Sequence, residues 1–566
     1  MISVSGKNWE EVKVSKRVID KVIIDLDLSI IQSKIVISRN FSNDEIFLLN
    51  NKVNYTNPFF KNKDFLSACS LINNAIKNKD RILIIGDYDV DGCVSTSLLV
   101  NFFKKFKLNI DYYIPDRLKD GYGANKDLIN KLISKKKTDL IIFVDCGSSA
   151  QETIDLTNKL NVKSLIIDHH NIQKPYPKSN VFLNPKKNLD YKNYDYLCTA
   201  YLTYLLIDLY IKLYELKISF KKDLIYVLLA SVADVMPLRG INKILAKNVL
   251  KDFKVNNNFI IGNLLKISNQ KKKIELDDLG YFIAPIFNSA GRLDNANQII
   301  ELLTTTSKKK ILEISNYIYN LNIKRKSLED LCFKNLNFKN ISNQKGIIFI
   351  MAPDIHEGII GIIAAKIKEN FGKPCIVFTN SGEFVKGSAR STSNFNIGEY
   401  INRALQDKLI ISGGGHNLAA GVSLLKSKID LFQKYLNKFY AKKNFDLTYQ
   451  FISKLSLSSV NKNFVKDINI LGPFGNQNPN PIFLIECVKL IKPQILKNKF
   501  ISCYIKSTNK IVKAISFSPI NSVISYEIIN NKNNLDIIIQ IKENNWNNKN
   551  STQLEIIDII KRSNNT

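Results

Sequence analysis

An acidic segment follows the first strongly apolar stretch of the chain. Residues Ile82–Ile85 are apolar without alternation, which predicts a buried strand. Asp87, Asp89 and Asp91 come directly after it, and alternate residues of an extended segment point to the same side. Carboxylates at that spacing repel one another unless cations lie between them. The segment therefore predicts either a divalent-metal site or a solvated acidic loop.

Aspartate and histidine also follow later apolar segments. The run Leu140–Val144 ends at an aspartate, and the run Ser164–Ile167 ends at one aspartate and two histidines. A helix-like apolar run over 223–235 carries an aspartate near its end, where an unpaired buried carboxylate is costly. That aspartate therefore needs either a metal or a role as a helix cap. The groups at or near the ends of these runs are Asp145, Asp168, His169, His170 and Asp234.

Carboxylate oxygens with one imidazole form a ligand set that suits Mg²⁺ or Mn²⁺, and the imidazole favours Mn²⁺. Asp145 lies midway in the set and is assigned the bridging position. Two such ions serve phosphodiester hydrolysis by activating a water and stabilising the leaving oxygen. His170 is a candidate for phosphate contact or proton delivery, and Asp87 and Asp168 for ligation or for orienting the imidazoles. The predicted ligands are Asp89, Asp91, Asp145, His169 and Asp234, and the catalytic set adds Asp87 and His170.

The elements that must position these groups alternate between strands and helices. Helical character lies over 125–137 and 149–160, and Gly92 predicts a tight turn into a helix over 93–106. Such a βαβαβ succession predicts a doubly wound parallel sheet. Ligands of these sheets bind beyond the carboxyl ends of the strands, and all three predicted strands bring Asp or His to that edge.

Length and charge limit the class of protein. A chain of 566 residues predicts three or four domains, and 45% hydrophobic residues indicate globular domains. The net charge of +30 favours a polyanionic partner, most simply nucleic acid. The alternative is a biased genome composition, because Lys, Asn and Ile are abundant along the whole chain.

Cysteine usage and the apolar runs predict a location. The eight cysteines contain no C-x-x-C pair, which argues against a structural zinc site or a disulfide framework. The N-terminus lacks the apolar core of a signal peptide. The best candidate for a membrane span, Tyr201–Tyr214, contains Asp208 and Lys212. We expect a cytoplasmic protein that does not associate with membranes.

Four motifs resemble those of the DHH phosphoesterase superfamily in type, order and spacing. They are Gly-Asp-Tyr-Asp-Val-Asp-Gly at 86–92, Val-Asp-Cys-Gly at 144–147, Asp-His-His at 168–170 and Val-Ala-Asp-Val at 232–235. Within the superfamily the chain is similar to the single-strand-specific DNA exonucleases, which share its segments at 114–123 and 288–293. Glycine-rich loops at 387–391 and 413–421, whose amides can cradle phosphate, resemble a DHHA1 nucleic-acid-binding domain.

This resemblance implies an α/β fold with two α/β lobes joined by a long helix and followed by a small barrel. Short alternating strands after residue 447 agree with a barrel, and they resemble an OB-fold. The predicted domains are an N-terminal segment at 1–50, a DHH catalytic domain at 51–293, a helical linker at 294–340, a DHHA1 domain at 341–446 and an OB-fold domain at 447–566.

The resemblance also implies an activity. The chain is expected to digest single-stranded DNA from the 5′ end to mononucleotides with two Mn²⁺ or Mg²⁺ ions, in recombination and repair. We expect a monomer, with a single-strand-binding protein and a helicase as partners. The resemblance implies that Tyr122 stacks and that the terminal phosphate and the backbone are held by Arg117, Arg292, Ser388 and Arg390. The residues expected to bind nucleic acid or phosphate are Arg117, Tyr122, Asn288, Arg292, His356, Ser388, Arg390, Gly415 and His416.

Two other functions compete with this interpretation. The first is a DHH enzyme that degrades nanoRNA or a small nucleotide, and the additional residues 447–566 argue against it. The second is a non-catalytic DHH scaffold that binds single strands. Loss of motif aspartates is the expected mark of a scaffold, and all of them are present here.

Overall fold

A computed structural model describes residues 1–50, 57–116, 120, 123, 125–172, 174–187, 189–269, 273–441, 448–531, 533–546 and 549–562. The chain forms two compact units. One comprises Met1–Thr56, Val235–Asp252 and Asp446–Thr566, and the other comprises Asn57–Asp234 and Phe253–Phe445. The predicted boundaries at residues 50, 293, 340 and 446 stay predictions.

The strands, in chain order, are β1 Asn8–Glu11, β2 Ile82–Ile85, β3 Ile110–Tyr113, β4 Leu140–Val144, β5 Lys163–Ile167, β6 Val181–Leu183, β7 Ile348–Met351, β8 Cys375–Ser381, β9 Phe384–Arg390, β10 Ser412–His416, β11 Ala419–Leu425, β12 Thr448–Phe451, β13 Ser453–Leu455, β14 Ile482–Leu496, β15 Phe500–Lys506, β16 Ile511–Ser516, β17 Leu535–Trp546 and β18 Lys549–Lys561. The helices are α1 Lys16–Leu26, α2 Ile30–Ser38, α3 Asn43–Asn50, α4 Lys63–Asn78, α5 Val90–Lys104, α6 Lys126–Lys135, α7 Gln151–Lys159, α8 Thr199–Leu213, α9 Leu224–Ala233, α10 Gly240–Asp252, α11 Phe259–Ile267, α12 Leu276–Asp278, α13 Ala284–Leu293, α14 Asn297–Thr304, α15 Lys308–Asn335, α16 Phe338–Ser342, α17 Glu357–Phe371, α18 Ile397–Gln406, α19 Ile429–Tyr440, α20 Lys462–Asn469 and α21 Val523–Asn530.

The first sheet is parallel throughout, with strand order β3-β2-β4-β5-β6. Strands β2 and β4 are fully buried, as their unbroken apolar sequences predict. Their ends are in register, since Ile85 pairs with Phe143 and Val144 pairs with Ile167. The carboxyl ends of β2, β4 and β5 therefore meet at one edge. The predicted doubly wound parallel sheet is confirmed.

The acidic segment departs from the extended conformation expected for it. Helix α5 begins at Val90, so Asp91 lies in its first turn and not on an extended strand end. Asp89 is the N-cap, and its carboxylate accepts hydrogen bonds from the amides of Asp91 and Gly92 at 2.9 and 3.1 Å. Gly92 is needed for close approach, because a Cβ there would lie 2.4 Å from the Asp87 carbonyl oxygen. The prediction of a helix starting at residue 93 was wrong by one turn, since the capping carboxylate starts it earlier.

The second sheet belongs to the same unit and has strand order β10-β11-β9-β8-β7. Only β7 and β8 are parallel, and the other pairs are antiparallel. The 28-residue helix α15 precedes this sheet, as the predicted long connecting helix requires. Its buried Glu329 pairs with Arg325 of the same helix at 3.0 Å and with Lys366 of α17. The ion pair with Lys366 connects the long helix α15 to α17, the helix between β7 and β8.

The other unit contains a closed barrel. Its strands follow the order β14-β15-β16-β18-β17, and β17 pairs with β14 to close it. Strand β1 pairs in parallel with β12, so the N-terminal residues complete this unit. Trp9 is buried and donates its indole N–H to the buried carboxylate of Asp558 at 3.0 Å. The predicted C-terminal barrel is confirmed, and the N-terminal segment packs on it.

A buried lysine lies in the same unit. Lys243 of α10 is 2% exposed, and its ammonium lies 4.0 Å from the centre of the Phe41 ring. No described residue accepts a hydrogen bond from it. Burial, together with the positive charges of Arg239 and Arg39, lowers the pKa of Lys243 to about 7, although Glu45 opposes this.

Replacing this lysine should stabilise the unit at neutral pH. The folded-state pKa lies below the ordinary value of 10.5, so the unfolded state binds more protons between pH 7 and 10. The wild-type free energy of unfolding should therefore rise with pH in this window. Lys243→Met should raise it at pH 7 by about 1–4 kcal/mol and flatten the pH dependence. Urea unfolding followed by tryptophan fluorescence reports on this unit, because Trp9 and Trp546 both belong to it.

The exposed Lys251 of the same helix provides the control. Lys251→Met should keep the wild-type slope. Unfolding of Lys243→Met at lower urea concentration than wild type at pH 7 would contradict the assignment of Lys243 as a destabilising buried charge.

Candidate metal centre

Asp145 stands at the centre of the site because of the backbone at the end of β4. Its φ of +61° is in the left-handed region, which aspartate tolerates better than most residues. The side chain is buried and accepts a hydrogen bond from the Thr199 hydroxyl at 3.1 Å. Its Oδ1 lies 3.5 Å from His169 Nε2 and 3.9 Å from His170 Nδ1. Asp145 thus faces both histidines delivered by β5.

Asp91 is held by the start of helix α8. Its two carboxylate oxygens accept hydrogen bonds from the amides of Thr199 and Ala200 at 2.8 and 2.7 Å. Free amides and the positive end of the helix dipole both favour a carboxylate there. The sequence analysis did not identify Thr199 and Ala200 as part of the site. Both bind Asp91 through backbone amides, and a backbone amide cannot be recognised from the type of residue.

Asp234 is the C-cap of α9, and it differs from the other carboxylates in how it is held. Its Oδ2 lies 3.3 Å from His169 Nε2, yet this buried atom accepts no hydrogen bond from the described residues. His169 Nε2 also lies 3.8 Å from Asp91 Oδ2. One imidazole nitrogen therefore faces three carboxylates from β4, α5 and α9.

The charges in this cluster are unbalanced. Burial and then Asp89 raise the pKa of Asp91 to about 6, and burial with the neighbouring aspartates raises the pKa values of Asp145 and Asp234 well above their usual range. Burial and the neighbouring His170 lower the pKa of His169 to about 3, so its imidazole is neutral and can act as a ligand. Several carboxylates that cannot easily all be ionised at once are what we expect at a site that binds a cation.

The donor atoms fit divalent cations. Three overlapping groups each place their ligand atoms within 4.8 Å of one another. They contain carboxylate oxygens and, in two of the groups, the neutral imidazole of His169, and the Asp234 oxygen that accepts no hydrogen bond from the described residues lies in the same cluster. This chemistry suits Mg²⁺ or Mn²⁺. The groups are Asp87 with Asp89 and Asp145, Asp91 with His169 and Asp234, and Asp145 with His169 and His170.

His170 forms an ion pair beside the cluster. Its Nδ1 lies 2.8 Å from Asp168 Oδ1. Burial opposes the charge, but this hydrogen bond and the Asp168 charge raise the pKa of His170 to about 9. The same contacts hold the pKa of Asp168 well below its usual value despite burial. His170 is therefore positively charged at neutral pH and can contact an anionic group at the edge of the site.

The second sheet brings His416 to this edge. The rings of His170 and His416 stack with centroids 5.8 Å apart, and His416 Nδ1 lies 3.2 Å from the Asn171 amide nitrogen. Gly415 precedes His416 on β10 and packs so closely that a Cβ would lie 2.4 Å from the Ala419 carbonyl oxygen. The predicted phosphate-binding loop thus lies beside the predicted metal site.

Four more predicted residues lie around the first two turns of α17, because Ser388 and Arg390 lie against Gly361 and the other two lie beside Gly358. His356 caps this helix, and its ring accepts a hydrogen bond from the Gly358 amide at 3.1 Å. Arg292 donates to the Gly358 carbonyl at 3.1 Å, and Arg390 donates to the Ser388 hydroxyl at 3.2 Å. We call His356, Arg292, Ser388 and Arg390 the α17 cluster.

Helix α13, which carries Arg292 of the α17 cluster, packs at Gly291 on the acidic segment of the metal centre. A Cβ at Gly291 would lie 2.3 Å from the Tyr88 carbonyl oxygen, so α13 packs directly on the acidic segment. Asn288 lies half-buried on the same helix, and no contact among the described residues places it in either cluster. Arg117 and Tyr122 lie outside the described residues.

The two sheets, the carboxylate and histidine cluster and the closed barrel define the class of protein, a DHH-type phosphoesterase with an additional barrel. Family models agree in chain order: the DHH family N-terminal domain at residues 81–232, the DHHA1 domain at 343–442 and the RecJ OB domain at 453–558. The chain belongs to the RecJ family.

Curated relatives agree with this family. The single-stranded-DNA-specific exonuclease RecJ of Bacillus subtilis strain 168 is 26% identical, covering 98% of this chain and 71% of its own length. The Escherichia coli K12 protein of the same name is 29% identical, covering 74% of this chain and 76% of its own length. The solved structure of RecJ in complex with Mn²⁺ from Thermus thermophilus shares the fold, with a TM-score of 0.83, 21% identity and coverage of 98% of this chain and 80% of that one.

No helix in the described ranges is both long enough and apolar enough to cross a membrane.

Asp145→Asn should abolish hydrolysis without unfolding the protein. Asparagine tolerates the left-handed backbone at this position, and it removes one of several crowded charges. In EDTA the melting temperature should therefore equal or exceed that of the wild type. Added MnCl₂ should raise the melting temperature of the wild type and raise that of the variant much less.

The exposed Asp155 of α7 offers a matched substitution. Asp155→Asn should keep both hydrolysis and the Mn²⁺-dependent shift. Full Mn²⁺ stabilisation of Asp145→Asn would rule out the central position of Asp145 in the metal site.

Proposed function

We propose that this chain is a single-stranded-DNA-specific 5′–3′ exonuclease that hydrolyses phosphodiesters to mononucleotides with two divalent ions. The observation that carries the proposal is the joint presence, in one unit, of a carboxylate–imidazole centre and a cationic cluster at a helix N-terminus. The names of the relatives and the RecJ OB domain support DNA as substrate.

Asp89, Asp91, Asp145, His169 and Asp234 would hold the ions, and Asp87 completes the carboxylate side of the centre. Ions bound there would supply a nucleophilic water at neutral pH and would neutralise charge on the phosphoryl oxygens. The amides of Thr199 and Ala200 keep Asp91 in place, and the Thr199 hydroxyl does the same for Asp145. The protein thus arranges its donor atoms before an ion or substrate arrives.

The charged His170 contacts the phosphate undergoing hydrolysis or donates a proton to the leaving oxygen. Its charge is maintained by Asp168, which stays ionised beside it. His416 from the second sheet lies over the same ring and adds a polar group to this edge. Hydrolysis then takes place between groups contributed by both sheets of the unit.

The α17 cluster would bind the 5′-terminal phosphate. A helix N-terminus favours an anion, and Arg390 is fixed in direction by its bonds to the Ser388 hydroxyl and the Ala389 carbonyl. Arg117 would contact the same phosphate, with Tyr122 stacking on the terminal base. A site for a terminal phosphate explains digestion from an end instead of internal cleavage.

The barrel would also bind single-stranded DNA. Residues opposite each other on antiparallel strands share a face, so Tyr504 lies between Ile491 and Lys513 on the outer side of β14–β16. Lys506 pairs with Lys489 on that side. Strands β15 and β16 carry no acidic residue. An exposed tyrosine surrounded by lysines stacks a base and contacts the backbone.

The proposed cellular setting is recombination and DNA repair in the cytoplasm. A monomer suffices, because the described metal centre and the α17 cluster come from one unit of one chain. A helicase would supply unwound strands, and a single-strand-binding protein would deliver them.

The test is digestion of end-labelled, 5′-phosphorylated single strands and of a matched duplex, in Mn²⁺ and in EDTA. Metal-dependent release of mononucleotides from the 5′ end of the single strand alone is the expected result. Cleavage restricted to dinucleotides would favour a small-nucleotide phosphodiesterase. Binding without cleavage would favour a non-catalytic scaffold.

Tyr504→Ala should weaken binding of a dT 30-mer about tenfold, since stacking of one base contributes roughly 1–3 kcal/mol. Tyr504→Phe should bind like the wild type, because the ring remains. Fluorescence anisotropy in EDTA measures affinity without hydrolysis.

Tyr526 provides the matched control, as it is more exposed than Tyr504 but lies on helix α21 of the same unit. Tyr526→Ala should leave affinity unchanged. An equal loss for both alanine variants would show that the outer side of β14–β16 is not a distinct binding surface.

A further inference from the structure

The His169–His170 dipeptide has all four of its backbone polar groups bound by side chains. Both amides donate to Asp168 Oδ1, at 2.8 and 3.2 Å. The His169 carbonyl accepts from Lys186 Nζ at 2.6 Å, and the His170 carbonyl accepts from the Asn184 amide at 2.9 Å. The motif aspartate accounts for one half of this arrangement. The other half comes from residues that no motif contains.

Asn184 is suited to hold a carbonyl in place. It follows β6, the strand that pairs with β5, and it is buried. Its amide also donates to the Ser148 hydroxyl at 3.1 Å, while its oxygen accepts from the Lys186 amide at 2.9 Å. Ser148 in turn donates its amide to Asp168 at 3.0 Å. A closed set of hydrogen bonds therefore surrounds the dipeptide.

We propose that Asn184 and Lys186 are positioning residues that fix His169 and His170 through their backbone carbonyls. The inference deepens the proposed function and rests on the role of His169 as a metal ligand. Metal sites tolerate only small errors in ligand position, of about 0.2 Å. A peptide that carries the metal-binding imidazole and the charged imidazole side by side must therefore be prevented from rotating.

Because Lys186 is positively charged, the direction in which Mn²⁺ affinity changes on its removal tests the proposal. A cation beside a divalent-metal site repels the metal, so a lysine that merely lay nearby would lower Mn²⁺ affinity. Removing a bystander lysine would then tighten Mn²⁺ binding. Removing a positioning lysine would weaken it instead, despite the electrostatic gain.

The experiment measures Mn²⁺ affinity of the full chain, without DNA, from the electron paramagnetic resonance signal of free Mn²⁺. Lys186→Met and Asn184→Asp should each weaken Mn²⁺ binding about tenfold, the usual effect of losing a group that orients a ligand. Both substitutions shift the local charge in favour of the metal, so a loss of affinity reports position. Lys186→Arg keeps the donor and the charge and should restore affinity to within about threefold of the wild type.

Lys187 provides the neighbouring control, because its ammonium donates a hydrogen bond to the Asp64 carboxylate at 3.2 Å. Lys187→Met should leave Mn²⁺ affinity unchanged. Unchanged or tighter binding by Lys186→Met and Asn184→Asp would overturn the proposal. Lys186 is exposed, so its variants remain informative if Asn184→Asp folds poorly.

The two proposals fail separately. A wild type that binds Mn²⁺ but does not digest single strands would overturn the proposed function, and the variants would still decide the positioning role. A wild type that does not bind Mn²⁺ would overturn both.

Discussion

Repulsion among carboxylates is the constraint on which the described catalytic unit depends. Asp91, Asp145 and Asp234 come from different elements and meet around one imidazole. Without a cation, burial and then the neighbouring aspartates raise the pKa of each carboxyl group, so the fold must hold together groups that repel one another. The buried parallel sheet supplies the rigidity, because its strands end in register at this edge.

The protein meets this constraint mainly with backbone groups. The amides at the start of α8 bind Asp91, and the amides of the first turn of α5 bind Asp89. Helix N-termini stabilise negative charge without placing a competing cation in the site. The positive charge of His170 lies at the edge of the site, where His170 pairs with Asp168 and where an anionic substrate would arrive.

The adjacent histidines His169 and His170 differ in charge for physical reasons. His169 is buried among metal-ligating groups and stays neutral, which leaves a lone pair for ligation. His170 has Asp168 as a hydrogen-bonded partner and stays charged, which suits a phosphate. Adjacent residues of one type therefore perform different tasks, and the peptide between them must be held firmly.

Much of this site was determined by the sequence alone. Unbroken apolar runs predicted parallel strands, and the rule that their carboxyl ends share an edge brought Asp145 and His169 together with the acidic segment. Tertiary structure decided what residue types cannot encode. The Asp89 cap started α5 a turn earlier than expected, and the amides of Thr199 and Ala200 hold Asp91 from 108 and 109 residues away. Strand β1 pairs with β12, in which Thr448 is the partner of Asn8 although the two residues are far apart in the sequence. Apolar periodicity is a local property, whereas these hydrogen bonds depend on which backbone groups the folded chain brings within about 3 Å of each other.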